Sequence, residues 1–575
     1  MGFIAPAKPP VEYAEWKRLS YRLRLKPLAQ DWAVNGFGTP VAVYLLYVVK
    51  LVVFSVGAGL VISATSGLGS LGDISSWWTE PIVFQKVVVW TMLWEILGLG
   101  AGSMPLTFRF LPPIGGALYW LRPGTIRLPP FPRRVPLTAG STRTAFDVAL
   151  YAGVLASAAY LLVSAGEAAA GSAAGRLDPA AVAILLGFWG LLSLRDKVAG
   201  LCGRPEVHGL LLIVFLFPIG NLIVASQVVL VCIWLGAAAS KLNRHFPFVV
   251  AVMISNTPWQ RSRRVKASLW KNHPEDLRPS RVAAFAAHSG TAIEFSLPLL
   301  LFFSHGGWPG TVAVAGMIVF HTHIISTFPL AVPLEWNLFM IFGILFLFGE
   351  YGSVPLATLG DPLLIAILIC GGILIPVFGN FRPDKVSFLP AMRYYAGNWA
   401  TSQWLFRAAD DAEAKLDRHL TKPAPVVANQ LGRLFGPDMA EMMLGKGLAF
   451  RAMHSHGRAL VGLIPRAVGD AEEYVAREGE LIAGVALGWN FGDGHLHNEQ
   501  LLSAIQERCG FTEGQLRVIM LESQPALDPR QHYRIWDAAT GLVEEGYVRV
   551  ADMVGQQPWL DGDDAIPVEP IGAAG

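Results

Sequence analysis

Residues 40–63 read PVAVYLLYVVKLVVFSVGAGLVIS, an apolar run in which Lys50 is the only charged residue. An α-helix of about 20 apolar residues spans the roughly 30 Å hydrocarbon core of a bilayer. Comparable runs recur further along the chain, at 81–101, 145–165, 180–194, 285–304, 309–329, 333–349 and 361–379. The repetition of such runs predicts a multi-pass membrane protein.

The composition of the whole chain supports this interpretation and excludes other classes. Of the 575 residues, 53% are hydrophobic and 15% are charged, whereas an ordinary soluble domain has about 25% charged residues. With 45 Lys and Arg against 43 Asp and Glu, the chain lacks the basic excess of a nucleic-acid-binding protein, so we expect no nucleic-acid partner. The four cysteines lie far apart, which argues against a disulfide framework and against a zinc knuckle.

The segment 208–242 is apolar but is interrupted by Pro218-Ile219-Gly220-Asn221. It is too long for one comfortable crossing of a bilayer and short for two. Proline and glycine are tolerated at membrane depth where the freed backbone groups face protein or water, so we expect a broken helix or a tight hairpin here. Two crossings in this segment would give about ten in all, and a single crossing is the alternative. The prediction is therefore about 8–10 transmembrane helices.

Basic residues are concentrated in some of the segments between the runs. The N-terminal segment 1–39 and the loops 122–143 and 258–281 are rich in Lys and Arg, whereas 66–80 and 350–360 contain neither. Cytoplasmic loops of membrane proteins carry the excess of Lys and Arg. We therefore expect a protein of the plasma (inner) membrane whose N- and C-termini are both cytoplasmic.

The chain changes character after the last apolar run. We predict an amphipathic cytoplasmic segment at 1–39, an all-α multi-pass domain at 40–380 and a smaller mixed α/β cytoplasmic domain at 395–560. The final residues, 561–575, are rich in Gly, Asp, Pro and Ala, a composition typical of a disordered tail.

Within the C-terminal domain the periodicity of apolar residues predicts a strand at 545–553 and helices at 497–508 and 513–521. Two His-x-His pairs, at 454–456 and 495–497, are also present. On a strand both imidazoles of such a pair would share one face, which suits a metal such as zinc. Because no third ligand follows from the spacing, metal binding is the less favoured interpretation.

A lysine closes the apolar segment 208–242. The sequence Trp234-Leu-Gly-Ala-Ala-Ala-Ser-Lys241 places small residues before it, which lets another helix or a flat ligand approach the backbone closely. A lysine in that setting is partly desolvated, and desolvation favours the neutral amine that can act as a base. The alternative is a lysine whose side chain snorkels to the membrane interface.

The following runs carry further polar residues, namely His288, Glu294, His321, His323, Glu335 and Asn337. Ionisable groups inside a membrane are costly and are functional candidates by default. Some of them have the chemistry of metal ligands, but their spacing has none of the specificity of a metal motif. A proton-handling or ligand-orienting pocket is therefore favoured over a metal site, and hydrogen bonding between helices is the third possibility.

Lys86 also falls within an apolar run. It shares a helical face with Trp90 and Trp94, because the three residues are spaced four apart. This pattern is typical of a structural cation–π stripe, and we interpret Lys86 as structural.

Three segments resemble the HTTM-type membrane domain that is shared with vitamin K-dependent γ-carboxylases and their bacterial relatives. They are LGAAASKLNRHFP at 235–247, AIEFSLPLLLFF at 292–303 and HTHIISTFPLAVPLEWNLFM at 321–340. The whole chain, including MRYYAGNWATSQWLF at 392–406, also looks like an uncharacterised family of actinobacterial multi-pass membrane proteins.

The resemblance implies roles for particular residues. In the carboxylases a membrane-embedded lysine activates a reduced quinone, and by position that lysine would be Lys241. Glu294 and His321 would then be the other catalytic residues, which orient groups or shuttle protons. The ligand-binding residues would be Trp234, His288, His323, Glu335 and Asn337. Because this chain lacks the large lumenal peptide-binding region of the carboxylases, the resemblance implies a lipid- or quinone-sized cavity rather than γ-carboxylation.

Two classes of function follow from these observations. The first is an integral membrane protein that binds a quinone, an isoprenoid or another lipid in a helical pocket, and in one version is a lipid- or quinone-dependent enzyme. The second is a non-catalytic lipid-binding, transport or scaffold protein of the cell envelope. An ion-coupled transporter would show paired broken helices, whereas this sequence has one clear break. We expect membrane lipids as partners, and the Trp- and Phe-rich surface permits a homo-oligomer.

Overall fold

A computed structural model describes residues 3–571 apart from residue 5, 101–114, 328–332, 561 and 563–564. The predicted runs 81–101 and 309–329 and the predicted tail 561–575 therefore end in residues outside this description. The described part is mainly helical as far as residue 381 and contains a sheet after it. We call residues 382–571 the C-terminal region.

The α-helices, labelled in chain order, are α1 (Tyr13–Arg18), α2 (Tyr21–Asn35), α3 (Val41–Ser63), α4 (Ile74–Trp77), α5 (Pro81–Ile96), α6 (Gly115–Trp120), α7 (Ala145–Val163), α8 (Pro179–Arg195), α9 (Lys197–Cys202), α10 (Leu210–Val214), α11 (Leu222–Ser240), α12 (Phe246–Asn256), α13 (Arg263–Ser268), α14 (Arg281–Phe303), α15 (Gly307–Thr327), α16 (Leu334–Ile344), α17 (Pro362–Ile369), α18 (Ile375–Phe381), α19 (Ala414–His419), α20 (Val427–Phe435), α21 (Pro437–Ala452), α22 (Ser455–Ala467), α23 (Gly479–Leu487), α24 (Glu499–Cys509) and α25 (Val550–Gly555). The strands are β1 (Glu167–Ala169), β2 (Ser172–Arg176), β3 (Trp270–Asn272), β4 (Asp276–Pro279), β5 (Thr401–Arg407), β6 (Tyr474–Glu478), β7 (Leu516–Leu521), β8 (Arg530–Asp537), β9 (Gly541–Arg549) and β10 (Val568–Pro570).

Six of the described helices are long and apolar enough to cross a bilayer. They are Val41–Ser63, Ala145–Val163, Ile219–Ser240, Arg281–Phe303, Gly307–Thr327 and Pro362–Phe381. Five of them coincide with predicted runs, and Ile219–Ser240 is the second part of the apolar segment 208–242. Apolar side chains such as Val48 and Val319 are exposed on them, as expected of surfaces that lie against hydrocarbon rather than water.

The other predicted runs form shorter helices. The run 81–101 contains α5 with 16 residues, 180–194 contains α8 with 17 residues, and 333–349 contains α16 with 11 residues and a π-helical continuation. At 1.5 Å per residue these fall below the length of a comfortable span. By this criterion the structure therefore has six candidate spans among the described residues, fewer than the 8–10 predicted.

Two short hairpins interrupt the helical pattern. Strands β1 and β2 pair antiparallel in one connection, and β3 and β4 do so in another. The prediction that 40–380 is all-α therefore holds for the described residues of the predicted runs and is wrong for these two connections, where short segments satisfy their backbone groups by pairing with each other.

The interruption predicted at 218–221 is present. A π-helical turn and α10 end before Pro218, and α11 begins at Leu222. The Phe217 carbonyl accepts a hydrogen bond from Arg176 at 3.1 Å, and Asn221 accepts one from the backbone of Gly360 at 3.2 Å. The break therefore lies beside the β1–β2 hairpin and the loop 350–360, at one end of the helical bundle.

Hydrogen bonds place the segments that are poor in bases at that same end. The Tyr351 hydroxyl donates to the Thr79 carbonyl at 2.7 Å, which joins 350–360 to 66–80. Glu80 accepts a hydrogen bond from the Ser172 hydroxyl at 2.6 Å, which adds the hairpin. We call this end of the bundle the base-poor face.

The basic segments lie at the opposite end, where they contact the C-terminal region. Lys446 forms a buried ion pair of 2.6 Å with Asp31 of α2. Lys197 donates to the His495 carbonyl at 2.8 Å. Similar bonds join Arg508 to Ser141 at 3.0 Å and Arg458 to the Leu277 carbonyl at 3.2 Å. We call this end the basic face.

The C-terminal region contains a six-stranded sheet in the order β10-β9-β8-β7-β5-β6, with all neighbouring strands antiparallel. The prediction of a helix at 513–521 is wrong, because Leu516–Leu521 form the strand β7. Nearly every residue of β7 is buried, and a strand buried on both faces lacks the alternation that would distinguish it from a helix. The predicted helix 497–508 is confirmed as α24.

The last two strands of the sheet differ from the predicted structure of their segments. The predicted strand 545–553 is β9 as far as Arg549, after which α25 begins at Val550. Within the predicted tail, Val568–Pro570 form β10 and pair with β9.

Lys86 has a structural role of a different kind from the predicted cation–π stripe. Its ammonium is fully buried and donates to Thr65 Oγ1 at 2.7 Å and to the carbonyls of Leu162 and Ser164 at 2.8 and 2.7 Å. These acceptors lie at the ends of α3 and α7, where helix carbonyls have no intrahelical partner and carry partial negative charge. The lysine therefore ties two helix C-termini to α5.

The two faces predict opposite accessibility. In a chain whose native cysteines are replaced by alanine, Ser66→Cys on the base-poor face and Arg133→Cys on the basic face should react with a membrane-impermeant maleimide from opposite sides. Both positions are exposed, and the positive-inside rule predicts that position 66 reacts from outside the cell. Labelling of both cysteines in intact cells would contradict this arrangement.

Candidate functional site

A cavity of about 520 Å³ lies among α11, α12, α14, α15 and α16. Binding sites for small molecules have volumes of roughly 300–1,000 Å³ and combine apolar walls with a few polar groups. Most of the lining here is apolar, and Tyr394, Tyr395 and Phe491 of the C-terminal region close part of it. The cavity thus lies where the helical bundle meets the basic face.

An ion pair forms one side of the cavity. Lys241 follows the last residue of α11, and its ammonium lies 2.7 and 2.5 Å from the two carboxylate oxygens of Glu294 on α14. Both residues are buried, with 7% and 4% of their surfaces exposed. Because the two charges compensate each other, the cavity contains a neutral ion pair at this point and not a free amine.

His321 lies at the centre of a hydrogen-bonded chain. The Trp234 indole donates to His321 Nε2 at 3.0 Å, and His321 Nδ1 lies 2.7 Å from Asn337 Oδ1. The Asn337 amide donates to the Pro333 carbonyl at 2.6 Å, which fixes its orientation. Since indole can only donate, Nε2 is the acceptor and Nδ1 carries the hydrogen. The imidazole is therefore neutral and both of its nitrogens are occupied.

The structure brings most of the predicted site residues together. The cavity is lined by Trp234, Lys241, Glu294, His321, His323 and Asn337. His288 is exposed on α14 and is not among the lining residues. The sequence could not predict its direction, because α14 carries apolar side chains on every face.

Glu335 belongs to a separate cluster. It is buried, forms an ion pair of 2.6 Å with Lys50 of α3, and accepts a hydrogen bond from the Trp94 indole at 3.2 Å. It is not among the residues that line the cavity. This ion pair joins α3 to α16 and compensates both charges inside the bundle. Glu335 therefore has a partner within the protein.

Several residues that line the cavity were not among the site residues predicted from the sequence. Arg204 is buried and lines the cavity together with Trp336, Tyr394, Tyr395 and Phe491. In the sequence Arg204 stands directly before Pro205 and outside the predicted apolar runs, a position typical of a loop. Tyr394 and Tyr395 lie in the segment 392–406, after the last apolar run, where nothing in the local sequence indicates contact with the helical bundle.

The His-x-His pairs of the C-terminal region do not lie on strands. His454 and His456 lie at the start of α22 and not on a strand, and their rings stack at 5.4 Å. His495 pairs with Glu522 at 3.1 Å. Among the described residues no group of three or more His, Cys, Asp or Glu side chains is arranged to hold a metal ion.

The ion pair predicts a characteristic pattern of stability. Either Lys241→Met or Glu294→Gln alone leaves a buried charge without its partner, which costs about 3–5 kcal/mol. The double variant removes both charges and should regain most of this loss. Thermal unfolding in detergent measures the effect, and Glu12→Gln, which breaks the exposed Lys8–Glu12 pair, should change stability by less than about 1 kcal/mol. Additive losses in the double variant would contradict the pairing.

The buried histidines predict an acid-sensitive C-terminal region. Burial lowers the pKa of both His454 and His497 to about 3, whereas an unfolded histidine has a pKa of about 6.5. Below about pH 6.5 the unfolded chain binds protons that the folded chain excludes, so the free energy of unfolding falls towards pH 3 by about 1.4 kcal/mol per pH unit and histidine.

Urea unfolding of the full chain in detergent, followed by pulse proteolysis between pH 7 and pH 4, measures this slope. His454→Phe should make the slope shallower by about one proton. The same change at the exposed His419 controls for the loss of an imidazole elsewhere. An unchanged slope in His454→Phe would show that His454 does not titrate in this way.

Comparison with known proteins identifies the family of the chain. No protein of curated function and no solved structure was found to match it. Residues 1–571 match the family described as “Transmembrane protein of unknown function (DUF3556)”. Because this match extends over almost the whole sequence, and the structure contains six helices able to cross a bilayer, the chain belongs to the DUF3556 family of transmembrane proteins.

Proposed function

We propose that the protein binds a lipid, such as an isoprenoid or a quinone, in the cavity among α11, α12, α14, α15 and α16. The observation that carries the proposal is the cavity of about 520 Å³, with apolar walls and a buried ion pair. A long apolar chain would fill the walls, and the few polar groups would orient the head group. The resemblance of the segments 235–247, 292–303 and 321–340 to HTTM-type membrane domains favours the same ligand class.

The hydrogen bonds favour binding over proton transfer. Lys241 is paired with Glu294, and both nitrogens of His321 are occupied. A general base needs a free lone pair within reach of the proton that it abstracts. A catalytic version therefore requires a ligand that separates Lys241 from Glu294, after which the lysine would be the base. The non-catalytic lipid-binding protein needs no such rearrangement.

The contacts between connections also support a topology. We infer that the basic face is cytoplasmic, because it gathers the Lys- and Arg-rich segments. Among the residues that the structure describes, this topology has ten passages between the two faces, and four of them use the shorter helices α5, α8 and α16 and the segment 205–214, which ends in α10. The two halves of 208–242 account for two passages, with the turn at Pro218 on the base-poor face. The surrounding membrane would be the plasma membrane.

The lipid site can be tested by filling it. Gly290 lines the cavity, and a Cβ atom added there would have no neighbouring atom within 4 Å. The open space beside this position should allow the aromatic ring of Gly290→Phe to extend into the cavity. Gly187→Phe is the matched control. Gly187 also lies in a helix, and a Cβ atom added there would have no neighbouring atom within 4 Å, but this residue does not line the cavity.

The measurement is mass spectrometry of lipids that co-purify with the full chain in detergent. We expect a lipid to co-purify with the wild-type chain and with Gly187→Phe, and to be lost from Gly290→Phe. If the lipids bound to the two variants are the same, the cavity is not the binding site.

A further inference from the structure

Arg204 places a charged group in the wall of the cavity. Only 3% of its surface is exposed, and its backbone has a φ of +58°. Residues with side chains rarely adopt this left-handed conformation, and it persists only where surrounding contacts hold it. The fold therefore holds the backbone of Arg204 in a conformation that costs free energy.

Three aromatic rings hold the guanidinium. Its central carbon lies 4.0 Å from the ring centroid of Trp336, and 5.3 and 5.2 Å from those of Tyr394 and Phe491. Each of these rings also lines the cavity. The charged end of Arg204, and not only its aliphatic stem, thus lies at the cavity wall.

The charge of Arg204 is compensated, but its hydrogen-bonding capacity is not filled. Nε donates to Glu206 at 2.7 Å, and the Tyr394 hydroxyl, which donates to the same Glu206 oxygen at 2.8 Å, lies within hydrogen-bonding range of the guanidinium. A guanidinium has five N–H donors, and beyond these contacts no acceptor for the others is found among the residues that the structure describes. Arg204 lines the cavity, so these donors can bond to an acceptor inside it.

We propose that Arg204 binds an uncharged oxygen, a carbonyl or hydroxyl oxygen, in the head group of the lipid. The proposal rests on the lipid site proposed above. Glu206 already compensates Arg204, and Glu294 already compensates Lys241, so these pairs offer no spare positive charge to a phosphate. Burying an uncompensated anion beside them would be costly. The cavity should therefore select neutral lipids over lipid phosphates.

Two photoactivatable probes with the same chain test this selection. They are diazirine-bearing hexadecanol and its monophosphate, whose head group carries about −1.5 to −2 charges at pH 7. In the full chain, hexadecanol should label peptides from 281–303 and 307–327. Unlabelled hexadecanol should compete at least about tenfold better than unlabelled monophosphate, a difference of about 1.4 kcal/mol.

Glu206→Gln is the decisive variant, because it keeps the shape of the side chain but leaves Arg204 without its compensating charge. The preference should shift towards the monophosphate by about tenfold or more. A destabilised chain would lose binding of both probes and could not produce this gain. Glu499→Gln, which breaks the pair with Arg534 in the C-terminal region, is the matched control and should leave the ratio unchanged.

Equal or stronger competition by the monophosphate in the wild-type chain would overturn the assignment, and so would an unchanged ratio in Glu206→Gln. The wild-type ratio decides the matter even if this variant does not fold. Absence of labelling by either probe, with lipid content unaffected by Gly290→Phe, would overturn the lipid site itself and Arg204 with it.

Discussion

The ion pair between Lys241 and Glu294 is the contact on which the site depends. A buried ammonium and a buried carboxylate must find each other, because either one alone is far less stable in a low-dielectric interior. Lys241 directly follows α11 and Glu294 lies on α14, so their contact at 2.5 Å fixes the end of one helix against the other. The cavity lies beside this contact, and the chain of hydrogen bonds through His321 joins α11 to α15 and α16.

The C-terminal region forms part of the cavity wall and is therefore part of the site. Phe491 and Tyr394 form part of its wall and also pack against Arg204. Arg204 in turn belongs to a connection on the basic face, where the C-terminal region contacts the bundle. The polar end of the site is thus built from residues far apart in the sequence, held together by aromatic packing and one carboxylate.

Local sequence was enough to predict the features that depend on local composition. Apolar length identified the six spans, Pro218 marked the broken helix, and the cost of charge in a membrane pointed to Lys241 and Glu294. The features that were missed depend on distant partners. Glu335 pairs with Lys50 from a helix far away in the sequence, and the rotation of α14 directs His288 away from the cavity. The pattern of β7 resembles that of a helix because both faces of the strand are buried. Arg204 lies at the cavity because aromatic rings from other segments pack against it.

The contact between Asp31 and Lys446 has a consequence for biosynthesis. It joins residues 415 positions apart, and both side chains are buried in the finished protein. While the ribosome is still translating the helical bundle, Asp31 has no lysine to pair with, although α2 already has partners in α12 and α13. The Asp31 carboxylate gains its compensating charge only once α21 has been made, so this ion pair is among the late contacts of the chain. A product truncated before α21 would keep the buried carboxylate without its partner.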